Sequence, residues 1–85
     1  MKKEDDHTYT LHVSVRNRPG VLVRCAQVFG RRGHNIEALH VTPNPDDVDL
    51  ANMKITAYGE RAMMNQIVAQ LRKLPDVAGL QEEER

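Results

Sequence analysis

The chain has 85 residues, 40% of them hydrophobic, and its 12 lysines and arginines are balanced by 12 aspartates and glutamates. That length holds one small domain, of a size that buries only about 60–65% of its unfolded surface and often gains stability by pairing. Zero net charge argues against a general nucleic-acid binder, no apolar run approaches the roughly 18 residues of a membrane-spanning helix, and the charged opening MKKEDDH is not a signal peptide. The single cysteine, Cys25, cannot form an internal disulfide, so a reducing cytoplasm is the expected setting.

Residues 1–8 and 83–85 read as charged tails around a single domain spanning 9–82. Tyr9, Leu11, Val13 and Val15 alternate with polar residues, which predicts a strand with one apolar face. The segment RNRPG breaks it. Val21, Cys25, Val28 and Phe29 then fall on one face of a helix over about 20–32. Pro19 suits the helix start, Arg31 and Arg32 complement the negative end of its dipole, and Gly33 suits its C-cap. A second strand is expected over 35–42, with Ile36, Leu39 and Val41 as its apolar content. Pro43 to Asp47 form a loop. Ala51, Met53, Ile55 and Ala57 alternate in a third strand that Gly59 ends. Met63, Ile67, Leu71 and Leu74 mark a second helix, opened by Glu60 and stopped by Pro75. Val77 to Gln81 suggest a short fourth strand.

The order β-α-β-β-α-β predicts an α+β, ferredoxin-like domain: a four-stranded antiparallel sheet with both helices on one face. Right-handed crossovers place the first and third strands at the centre and the second and fourth at the edges. The second strand carries no proline and few charges, so it is the expected edge for pairing with another subunit.

Cys25 lies on the apolar helix face, where a buried thiol is expected, and Ser14 sits mid-strand with no elbow around it. No carboxylate pair within the folded part is spaced for acid–base work, so no catalytic residue is assigned. His34, Glu37 and His40 are spaced by three, but on a strand Glu37 points away from the two histidines, so no metal site is expected. Tyr9, Phe29 and Tyr58 are too few and too scattered for an RNA-stacking sheet, and RNRPG lacks the glycine-rich cradle of a phosphate-binding enzyme.

Between His7 and Ile36 stand five arginines (Arg16, Arg18, Arg24, Arg31 and Arg32) and no carboxylate. They form either a solvated basic face or a surface that meets an anionic partner or ligand. The loop before the first helix adds to this. A helix N-terminus offers free N–H groups to a carboxylate, and Gly20 lets a ligand approach the backbone. Asn17 and Asn35 each carry an amide that serves a carboxylate or an ammonium, the two polar ends of a free amino acid. The plainer alternative is that Asn17 and Gly20 build the turn and Asn35 is a loop residue.

The stretch VRNRPGVLVRCAQVFGRRGHNIEAL, with its N-x-x-G followed by F-x-R-R-G-x-N-I-E-x-L, resembles the start of an ACT domain, specifically that of the small subunits of acetolactate synthase (acetohydroxyacid synthase). QIVAQLRKLPDVAGLQ is similar to that family's second helix and last strand, and the likeness covers about residues 9 to 82. The resemblance implies a βαββαβ fold and a homodimer with a continuous eight-stranded sheet, here through strand 35–42. It also implies a branched-chain amino acid, chiefly valine, at the interface, bound by Asn17, Arg18, Pro19, Gly20, Val21 and Leu22 of one subunit and Asn35 and Ile36 of the other. It further implies a non-catalytic regulatory chain that activates a catalytic large subunit and confers feedback inhibition. Thiamine diphosphate, a divalent metal such as magnesium, and FAD would sit on that large subunit, with no cofactor on this chain. A single domain of this kind resembles the short isozyme I form, with a piece of a longer, two-domain small subunit as the alternative. A stand-alone amino-acid sensor of the same fold and a ligand-free interaction module are the alternatives. The exposed sheet face and the basic first helix are the two candidate docking surfaces.

Overall fold

A computed structural model describes residues 6–31 and 34–83. The elements are β1 (Asp6–Arg16), α1 (Val21–Arg31), β2 (Ile36–Pro43), β3 (Leu50–Glu60), α2 (Arg61–Lys73) and β4 (Val77–Glu82). The sheet is antiparallel with strand order β2-β3-β1-β4, so β1 and β3 are central, as expected. The expected Arg32 and Gly33 helix end lies outside the described residues.

Alternation decides which face of the sheet is buried. Tyr9, Leu11, Val13 and Val15 of β1 and Ala51, Met53, Ile55 and Ala57 of β3 meet Val21, Cys25, Val28 and Phe29 of α1 in one core. The helices therefore cover one face, and His12, Lys54 and His40 form a cross-strand row on the other. In α2 the buried stripe is Met64, Ile67 and Leu71. Met63 and Leu74, expected in it, are only half-buried. The stripe is rotated toward Met64 and Val68, and Met63 sits at its flank.

Several strand boundaries differ from the sequence expectation; β2 starts at Ile36 rather than 35 and β4 ends at Glu82. β1 begins at Asp6, before the first apolar residue of the alternation, because it pairs with β3 as far as Glu60. For the same reason Gly59 does not end β3: it pairs with His7 and is buried inside the strand. β2 does contain a proline. Pro43 is its last residue, opposite Ala51, where an edge strand has no need of a further ladder donor. β4 is present and carries a register shift opposite Ser14 and Val15. The loop after β2 is fixed by Asn44, whose Oδ1 accepts the N–H groups of Asp46 and Asp47 at 2.8 and 3.1 Å.

Candidate functional site

The β1–α1 loop is held from outside itself. The Arg16 N–H donates to Asp76 O and the Asn17 N–H to Asp49 O, both at 2.8 Å, which ties the loop to the start of β4 and to the β2–β3 connection. Gly20 then turns the chain into α1 with φ of 84°, in the left-handed region that side chains disfavour. The Arg24 N–H donates to Gly20 O at 3.0 Å, so the Gly20 carbonyl takes part in the first helical turn.

Arg24 returns along that turn. Its guanidinium forms an ion pair with Asp76, and its Nη1 lies 3.2 Å from where a Cβ on Gly20 would stand. The basic helix face is therefore not a row of free cations: Arg24 is engaged within the chain and borders the glycine. Beneath it Cys25 is buried, and that burial pushes its thiol pKa up, against a smaller downward pull from Arg24.

Of the predicted site residues, Asn17, Arg18, Pro19 and Gly20 are exposed in this one loop, and Leu22 beside them is 43% exposed. Val21 is different. At 2% exposure it opens the core stripe of α1 and has no surface to give a ligand. Asn35 is exposed and Ile36 is half-buried against the core.

A single chain does not bring the two groups together. Ile36 pairs with Ala57, and Ala57 pairs with Tyr9, so Asn35 lies level with the early part of β1. Asn17 follows the far end of that strand, eight residues on from Tyr9, a distance of roughly 26 Å along a strand. Leu39 and Val41 stand opposite Ile55 and Met53 and so point to the helix-covered side, yet they are 37% and 48% exposed. That edge of the sheet is apolar and uncovered by the chain's own helices. Sequence reasoning singled out both asparagines and counted Arg24 in the basic stretch, but not the pairing of Arg24 with Asp76. The position of Arg24 four residues after Gly20 on a helix was an available signal; the remote Asp76 gave none.

A family model described as the AHAS small subunit-like ACT domain matches residues 11–79. The chain belongs to this ACT-domain family. A probable acetolactate synthase small subunit of Archaeoglobus fulgidus is 46% identical over 66 residues, covering 78% of this chain and 41% of that protein. The acetolactate synthase isozyme 3 small subunit of Escherichia coli is 42% identical over 72 residues, covering 85% and 44%. The acetolactate synthase small subunit from Thermotoga maritima superposes with a TM-score of 0.79 at 29% identity, over 89% of this chain and 47% of that one. The chain thus spans less than half the length of the relatives it matches. The ACT domain from GTP pyrophosphokinase of Chlorobium tepidum superposes with a TM-score of 0.74 at 13% identity and attests the fold alone. No helix among the described residues is long and apolar enough to cross a membrane.

Proposed function

We propose that the chain is a non-catalytic regulatory subunit of acetolactate synthase, active in the cytoplasm. It binds valine or a related branched-chain amino acid between two copies and passes that binding on to a catalytic large subunit. The observation that carries this reading is the placement of Asn17 and Asn35 at opposite ends of the sheet. If two copies pair antiparallel through β2, the start of one β2 lies beside the Pro43 end of the other. Pro43 is opposite Ala51, one residue from Leu50, which pairs with Arg16. The partner's Asn35 then reaches the end of the sheet that carries Asn17 and Gly20. Leu39 and Val41 are covered in the same step.

The chemistry of the two halves is complementary. The loop offers Gly20 and the N-terminus of α1 to a carboxylate, Asn17 and the partner's Asn35 orient the polar ends, and Leu22 meets the aliphatic side chain. Val21 supports this wall from the core and does not touch the ligand. Ligand binding between copies favours the dimer geometry it bridges, by no more than its differential affinity for the two arrangements. The large subunit holds thiamine diphosphate, a divalent metal and FAD and performs the reaction.

The test is calorimetry of the pure protein with valine, with lysine as control, alongside sedimentation. Saturable valine binding by a dimer, lost in Asn17→Ala and Gly20→Asp, is the expected result. Binding unchanged in both variants would remove the pocket. Affinity capture that retains no thiamine-diphosphate enzyme would move the chain to the role of a stand-alone sensor.

A further inference from the structure

Gly59 is a glycine for a reason its backbone does not supply. Among the described residues only Gly20 has a positive φ, so Gly59 sits in an ordinary strand conformation that any residue adopts. The reason is His34. A Cβ on Gly59 would stand 1.9 Å from His34 Cε1 and 2.4 Å from Nδ1, so the imidazole occupies the space that any larger residue needs. His34 Nδ1 donates to Tyr58 O at 3.1 Å. The carbonyl only accepts, so Nδ1 carries the proton. The His34 backbone N–H donates in turn to Phe29 O at 3.0 Å, near the end of α1.

One residue thus joins the end of α1 to β3, immediately before Asn35. Directly after Asn35 the β2 ladder is irregular. Ile36 pairs with Ala57 and Ala38 with Thr56, leaving Glu37 as an extra residue. The extra residue is left unpaired and the ladder is locally disrupted, so the strand entry around Asn35 is held by fewer ladder bonds.

We propose that His34 and Gly59 form an interlock that sets the position of Asn35, and through it the affinity for the amino-acid effector. His34 is a positioning residue and touches no ligand. The second half of this inference rests on the effector site argued above; the first half does not. Gly59→Ala forces the ring off β3, and His34→Ala removes it. Each is expected to weaken valine binding about tenfold, the worth of one orienting hydrogen bond. Because both break one contact, the double variant should be no weaker than His34→Ala alone. His34→Asn, whose Nδ2 stands in for the imidazole Nδ1 as donor to Tyr58 O, should bind close to wild type.

The structural half is read by nuclear magnetic resonance without ligand. The Asn35 amide should shift in Gly59→Ala and His34→Ala and return in His34→Asn, while the Asn17 amide stays in place, and the wild-type imidazole should be protonated at Nδ1. A shift spread over the whole sheet, or an Asn35 amide indifferent to both variants, overturns the interlock. An Nδ1 without its proton overturns it too. If Gly59→Ala does not fold, the two His34 variants carry the test. If wild-type protein binds no valine while Asn35 moves as stated, the effector reading fails and the interlock stands.

Discussion

Arg24 lies against Gly20 while holding Asp76, so the helix start, its glycine and the beginning of β4 are one unit. A side chain at Gly20 meets two costs there, the left-handed φ of 84° and the guanidinium of Arg24. Gly20→Ala should lose about 1 kcal/mol of stability, mainly from the backbone, since the end of an arginine side chain can yield. Gly20→Asp adds a carboxylate that competes with Asp76 for Arg24 and repels an effector carboxylate. Urea unfolding should therefore rank the two variants together, while calorimetry should show the larger loss of valine binding in Gly20→Asp.

Arg24→Ala tests the same unit from the other side. It leaves the Asp76 side chain, only 15% exposed, without its cation, while the backbone bond from the Arg16 N–H to Asp76 O remains. Because Arg24 itself is 46% exposed, the stability loss should be modest, about 0.5–1 kcal/mol. Equal unfolding midpoints for Arg24→Ala and wild type would show that the pair holds nothing in place.

Leu39 and Val41 predict the oligomeric state. They flank a bare β2 edge on the helix side of the sheet. Leu39→Lys with Val41→Lys places two charges where the partner copy would cover them, and such charges are the usual protection of a free edge. The double variant should sediment as a folded monomer with an unchanged circular dichroism spectrum. If it remains a dimer, the copies do not pair through β2.

Most of the fold was legible because period two and period 3.6 separate cleanly in this chain. Every apolar position read in β1, α1 and β3 is buried. The errors fall where local pattern gives way to contacts made elsewhere. Gly59 reads as a strand end until the distant His34 fills the space of its missing side chain. Met63 and Met64 are chemically alike, and only the rotation of the buried stripe of α2 toward Met64 and Val68 chooses between them. The candidate site was half legible. Asn17, Gly20 and Asn35 stand out as polar or small residues at element boundaries, and the β-α-β order already implies that Asn35 lies at the opposite end of the sheet from Asn17 and Gly20. Val21 follows that loop directly in sequence but does not share its exposure.

Phe29 tests how narrow the stability margin is. It is fully buried, and small domains hold few such side chains. Phe29→Ala should cost about 3–5 kcal/mol, through lost burial and the cavity left behind. That is a large share of the ~5–15 kcal/mol that holds a typical domain folded. Thermal melting should show a strongly lowered midpoint or no cooperative transition. Phe29→Leu, which keeps most of the volume, should fall between the two.

Cys25 gives a pH-dependent signature. Burial raises its pKa in the fold above the ordinary thiol value of 9.0. The folded state therefore favours the neutral thiol. Its contribution to stability is fully present below the unfolded pKa and is lost as pH rises through the folded one. Two consequences follow from that sign. Stability in urea should decline as pH is raised beyond about 9, and Cys25→Ser should remove part of the decline. Iodoacetamide at pH 8 should label the native thiol far more slowly than the urea-unfolded one, because the fold withholds both access and the reactive thiolate. Equal labelling rates in the two states would place Cys25 outside the core.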